Sequence, residues 1–129
     1  MEKKKIIFER ELHARSEKTI WPLISTPEGL AKWIADEVTR DGESLQFTWG
    51  VDWRHHEERT AVVTQEVPPI HFGWMWEDED FSVEMEIKRS DITGDYILIV
   101  TDYAEKDDED WLRAVWESNF ERLHSTTGL

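Results

Sequence analysis

The side chains best suited to chemistry fall in three kinds of place. His55-His56-Glu57-Glu58 combines imidazoles and carboxylates, the donor set of a transition-metal site. Adjacent strand residues point to opposite faces, so His55 and His56 do not converge on one ion. His55 and Glu57 share a face and would need a third partner. No HExxH or comparable spacing supplies one. The segment reads as a solvated strand end, and no metal site is assigned. The acidic runs Glu77–Asp80 and Glu105–Asp110 could attract calcium, but neither has the glycine and alternating ligands of an EF-hand loop. They read as a charged turn and a helix start. For acid–base work the candidates are Asp102, in the apolar run ILIVTDYA, and His71, between Ile70 and Phe72. Neither has a partner identifiable in the sequence, and both read as core-edge or exposed groups. There is no Cys, no Ser or Thr in a nucleophile motif and no glycine-rich phosphate loop. No catalytic residue is assigned, and the chain is expected not to be an enzyme.

The element that must position any site is the last one. Asp107 to His124 reads as an amphipathic helix. Trp111, Leu112, Val115, Trp116, Phe120 and Leu123 fall within one half of the helical wheel. Its acidic start suits the positive end of the helix dipole, and Gly128 is a plausible stop. Asn119 interrupts the apolar half. A buried amide without partners costs roughly 1–3 kcal/mol. Asn119 therefore bonds a neighbouring polar group, lies at the periphery, or faces a wet or ligand-filled space.

The remainder is mostly extended. Lys4–Ala14 reads as a strand with Ile6, Phe8 and Leu12 on one face and Arg10 interrupting it. Ser16 caps a short helix over Glu17–Ile24, with a kink or break expected at Pro22. Thr26-Pro27-Glu28-Gly29 starts a second short helix, expected to reach about Ile34. Asp36–Leu45 returns the chain to extended structure, and strands follow over Leu45–Trp49, Trp53–Glu66, Ile70–Trp76 and Phe81–Lys88. Tyr96–Tyr103 is apolar on both faces, which suits a central strand or one packed under the helix. Asp41-Gly42, Gly50-Val51-Asp52, Glu77–Asp80 and Asp91–Asp95 serve as turns. Strand, two short helices, about six antiparallel strands and a long helix make an α+β meander, read as one domain over 1–129.

Composition narrows the function. The 129 residues carry a formal net charge of -14, which disfavours nucleic acid and anionic membranes. No segment approaches the roughly 20 apolar residues of a membrane span, and MEKKKIIFERE lacks a signal-length apolar run. The cytoplasm is the expected compartment and a monomer the expected state. Eight Trp is unusual for this length. Each brings roughly 150–250 Å² of buriable surface and an N–H that wants a partner, so they either fill the core or line a cavity.

The element order, with ISTPEGLAKWIADEV (Ile24–Val38), VPPIHFGWMWEDED (Val67–Asp80) and GDYILIVTDYAEKDDED (Gly94–Asp110), resembles the START-like superfamily, whose helix-grip fold is shared with birch-pollen-allergen-type proteins. The chain looks most like small bacterial START-like proteins of unassigned function. It is more distantly similar to the heat-shock-protein ATPase activator homologues. The resemblance runs from about Lys4 to Leu123. It implies a sheet of about seven strands gripping the C-terminal helix, two short helices closing one end, and a cavity for an apolar molecule between sheet and helix. Carried over, Trp33 stands by the cavity mouth. Trp74, Trp76, Val83 and Met85 come from the sheet, and Leu112, Val115, Trp116, Asn119 and Phe120 from the helix. Gly50–Glu58 departs from the pattern as a longer, aromatic and His-rich hairpin.

Three functions follow as expectations. The first is non-catalytic binding of a hydrophobic or amphipathic, lipid-like small molecule, with no cofactor; it requires a cavity of a few hundred Å³ that the Trp side chains leave open. The second is a protein-interaction module of the chaperone-accessory kind. A cyclase- or hydrolase-like enzyme ranks third and needs two polar residues converging in the cavity.

Overall fold

The computed structural model describes residues 3–50 and 57–129. Alternation over Lys4–Leu12 gives β1, whose inward residues Ile6, Phe8 and Leu12 are buried. The chain then forms α1 (Glu17–Ser25) and α2 (Pro27–Leu30). Six strands follow: β2 (Glu37–Asp41), β3 (Ser44–Trp49), β4 (Glu57–Val67), β5 (His71–Trp76), β6 (Ser82–Arg89) and β7 (Tyr96–Ala104). A 3-10 turn, Lys106–Asp108, leads into α3 (Glu109–Thr127).

All seven strands form one antiparallel sheet in the order β1-β7-β6-β5-β4-β3-β2. Consecutive strands from β2 to β7 are neighbours, as short links require. The first strand pairs with the last, Lys4 facing Ala104 and Leu12 facing Tyr96. The chain must therefore pass from one edge of the sheet to the other between β1 and β2, and α1 and α2 make that crossing. Their junction is tight. Thr26 Oγ1 accepts from Gly29 N at 2.9 Å and donates to the Pro22 carbonyl at 2.7 Å. A Cβ on Gly29 would lie 1.9 Å from Pro22 O, so only glycine fits where the two helices touch.

Two helix expectations change. α1 runs through Pro22 without interruption and ends at Ser25, with Thr26 N bonded to Pro22 O. The break falls at the Thr26-Pro27 cap instead. α2 stops at Leu30 rather than near Ile34, because the next turn tightens: Lys32 N bonds Gly29 O and Trp33 N bonds Leu30 O. Arg122, far away on α3, holds that turn through the Ala31 and Ala35 carbonyls at 3.3 and 3.1 Å and pairs with Asp36 at 3.2 Å.

The inward face of the sheet carries Phe47, Ala61, Val63, Phe72, Trp74, Trp76, Val83, Met85, Leu98 and Val100. α3 lies against it with Leu112, Trp116, Phe120 and Leu123 buried. Full burial of such a side chain contributes roughly 1.5–3 kcal/mol. Arg10, the break in the β1 pattern, pairs with Glu117 and covers the Phe120 ring at 4.9 Å, so it ties β1 to α3. Gly128, at φ 76°, ends α3 in the left-handed conformation.

Candidate functional site

A cavity of about 890 Å³ lies between the sheet and the N-terminal half of α3. The expected Trp74, Trp76 and Val83 from the sheet and Leu112, Val115, Trp116 and Asn119 from α3 line it together. Ile34 and Trp49 complete the apolar wall. The tryptophans do not fill the space; Trp49, Trp74, Trp76, Trp111 and Trp116 surround it.

Three expected wall residues lie elsewhere. Trp33 is fully buried in the core rather than at the mouth. Its indole N–H donates to the Leu23 carbonyl at 2.9 Å, and its ring meets Trp116 at 6.0 Å and Phe120 at 5.7 Å. Phe120 belongs to the same plug, 6.4 Å from Phe8. Met85 sits one inward position beyond Val83 on β6, beside Phe72 and Val100 in register, where side chains fill the core.

The sheet wall is a run of interlocked rings. Phe47 stands 5.2 Å from Trp74 and 5.0 Å from Trp76, and Trp49 stands 6.2 Å from Trp76. Offset and edge contacts of this kind add about 0.5–1.5 kcal/mol per pair beyond area burial. Two wall indoles find acceptors. Trp49 Nε1 donates to Ile34 O at 2.8 Å, and Trp116 Nε1 to Asp102 Oδ2 at 2.9 Å. Trp74 does not: its Nε1 is buried with no acceptor among the described residues. Asn119 is half-buried, lines the cavity and makes no side-chain hydrogen bond to a described residue. The amide that broke the helix pattern thus faces the open space.

Asp102 is the polar group nearest to chemistry. It continues the inward parity of Leu98 and Val100 and reaches the cavity. Burial pushes its carboxyl above the ordinary Asp range; the hydrogen bonds from the Trp116 indole and the Tyr103 N–H oppose that shift. Glu79 raises it further and Lys3 lowers it slightly. His71, on the opposite parity of β5 from Phe72 and Trp74, points away from the cavity. Asp102 therefore has no acid–base partner in His71.

At the mouth, Arg59 pairs with Asp78 at 3.0 Å and Glu79 at 3.4 Å, and its guanidinium lies 4.0 Å over the Trp76 ring. Lys3 pairs with Glu79 at 3.1 Å. The run 77–80 is thus an ion-paired turn. The run 105–110 is the 3-10 turn and the start of α3, where Glu109 meets Lys4 and Arg113 at 3.1 and 2.9 Å. Trp111, expected on the apolar half of the helix, is 65% exposed and stands at the cavity mouth. His55 and His56 lie outside the described residues; among those described, no group of His, Asp or Glu is placed to hold a metal.

Sequence reasoning did not place Trp49, Ile34 or the mouth residue Arg59. The Leu45, Phe47, Trp49 alternation carried the signal for Trp49: two buried neighbours of the same parity point it inward. Nothing local marks Ile34 or Arg59, whose positions depend on the tightened turn after α2 and on the β3–β4 pairing.

No helix among the described residues is long and apolar enough to cross a membrane. A search of curated proteins finds no match. Solved structures do match. A Bacteroides fragilis protein determined by NMR is 35% identical, over 98% of this chain and 92% of its own, with a TM-score of 0.64. A Bacillus halodurans protein is 18% identical, over 98% and 99%, with a TM-score of 0.75. The Aha1 dimer of Colwellia psychrerythraea is 14% identical, over 95% and 96%, with a TM-score of 0.71. The last two establish likeness of fold only. The profile of the START-like superfamily domain matches residues 1–129, and with the sheet, the gripping helix and the cavity described above, the chain belongs to the START-like superfamily.

Proposed function

We propose that this protein binds a hydrophobic or amphipathic small molecule between its sheet and α3, without catalysis. One observation carries the reading: a space of about 890 Å³, walled by aromatic and aliphatic side chains, remains open in a domain with enough tryptophan to close it. That volume falls within the roughly 300–1,000 Å³ of small-molecule sites, which are mostly apolar with a few polar groups that fix orientation. Here those groups are Asp102 and Asn119. Asp102 has no imidazole partner, with His71 on the other face of the sheet, which supports binding over acid–base chemistry.

The test is native mass spectrometry of protein purified from its own host, followed by organic extraction. A stoichiometric apolar molecule is the expected result. A protein that is empty from its host, and that gains no thermal stability from any member of an apolar compound panel, contradicts the reading.

A second reading, docking of a protein partner, draws on the exposure of Trp111 beside the acidic start of α3. Salt-sensitive capture of one basic partner, lost in Trp111→Ala, would favour it over the first.

A further inference from the structure

The described lining of the cavity is not electrically neutral. It holds six carboxylates, Glu57, Asp78, Glu79, Asp102, Glu105 and Asp108, and two cations, Lys3 and Arg59. Both cations are already committed to Asp78 and Glu79. Glu57, Asp102, Glu105 and Asp108 have no cation partner among the described residues. Of these, Asp102 lies deepest, against Trp116 of α3.

We infer that the molecule this cavity takes is a cationic amphiphile: an apolar body against the tryptophan wall, with a protonated amine directed at Asp102 and the acidic mouth. This rests on the binding reading above and adds the charge of the ligand to it. Three observations converge. An anionic head, such as a fatty carboxylate, would meet a mouth where, among the described residues, carboxylates outnumber cations and Lys3 and Arg59 are both ion-paired; like charges brought together there repel. A neutral head would leave Asp102 half-buried with indole and backbone N–H donors but no counter-ion. A cationic head supplies that counter-ion. The wall also accepts cations: the Arg59 guanidinium rests 4.0 Å over the Trp76 ring, the geometry in which an aromatic face attracts positive charge. The raised pKa of Asp102 agrees, since a group that burial disfavours as an anion is the one a bound cation stabilises most. The net charge of -14 draws such ligands toward the protein from a distance.

The experiment compares three probes of equal chain length: decylammonium, decanol and decanoate. All are used below their micelle concentrations and followed by tryptophan fluorescence and calorimetry. The expected order of affinity is decylammonium, then decanol, then decanoate. A charge-assisted hydrogen bond exceeds a neutral one by about 1 kcal/mol, so the ammonium should lead the alcohol by roughly five- to tenfold. Decanol should displace decylammonium, which shows a shared site. Asp102→Asn, which keeps an acceptor for the Trp116 indole, should bring the ammonium affinity down toward that of the alcohol. Glu105→Gln combined with Asp108→Asn, at exposed or half-exposed positions, should narrow the same gap if the first variant fails to fold. Binding of all three probes with equal affinity, or tightest binding of decanoate, overturns the charge inference and leaves the cavity reading standing. Binding of none overturns both.

Discussion

Asn119→Leu separates a structural amide from a cavity-facing one. The Asn119 side chain is half-buried on α3 between Trp116 and Leu123, lines the open space and bonds no described residue. Replacing it therefore breaks no side-chain hydrogen bond to a described residue. A leucine there removes a polar group from an apolar surround and adds buried methyl surface. Full burial of a leucine contributes roughly 1.5–3 kcal/mol, and a half-buried site captures about half of that, near 1 kcal/mol. Leucine also has the better helix propensity, by about 0.5 kcal/mol. For a domain of this size a gain of about 1 kcal/mol raises Tm by roughly 3–5 °C. The assay is thermal unfolding of the empty protein by circular dichroism or calorimetry, with decanol affinity measured in parallel. The reasoning requires a higher Tm and weaker decanol binding, because the side chain that orients a polar head is gone and the space is smaller. A lower Tm would refute it and mark Asn119 as a satisfied amide.

Three further outcomes test the frame around the cavity. Gly29→Ala should destabilise by about 1–3 kcal/mol or more in urea unfolding, because the added Cβ would stand 1.9 Å from the Pro22 carbonyl of α1 and backbone cannot give way cheaply. Unchanged stability would show that the α1–α2 junction is loose. Trp33→Ala should cost about 3–5 kcal/mol, as a fully buried indole with a bonded N–H does, whereas a residue at a cavity mouth would cost far less. Asp102→Asn should change the pH dependence of stability. Burial raises the folded carboxyl above its unfolded value, so the stability it contributes is fully present below the unfolded pKa of about 3.9 and is lost as pH rises through the folded value. The variant should therefore be more stable than the wild type at neutral pH. That advantage should vanish as pH falls below about 3.9, where the wild-type carboxyl becomes protonated in both states. A difference independent of pH would contradict the assignment.

Local pattern carried most of the fold. The 3.6-residue spacing of Leu112, Trp116, Phe120 and Leu123 identified the buried stripe of α3. Alternation over Ile70, Phe72, Trp74, Trp76 and over Phe81, Val83, Met85, Ile87 matched the buried parity of β5 and β6, except that Ile70 and Phe81, just before the strands begin, are exposed. What stayed hidden depends on contacts between distant residues. The early stop of α2 is fixed by Arg122 on α3, so no local signal near Ala31 announces it. Trp33 looked free to line a mouth, and only the carbonyl of Leu23 and the rings of Trp116 and Phe120 draw it into the core. Trp111 shares the half-wheel of the buried residues yet faces open space, because periodicity gives a direction and not what lies there. Asp102 was visible as a charge in an apolar run. Its partner could not be, since Trp116 reaches it only once α3 lies in the grip of the sheet.

The central claim is that the space between β5, β7 and α3 accepts an apolar molecule. The most direct measurement is a titration with decanol or decylammonium followed by the indole N–H signals in two-dimensional NMR, one signal per tryptophan. Saturable shifts are expected at Trp49, Trp74, Trp76 and Trp116, the wall of the cavity, with Trp21, packed against Phe72 at 6.3 Å and outside that wall, as the fixed reference. Shifts confined to Trp21, or none at Trp74 and Trp116 at saturating probe, would contradict it.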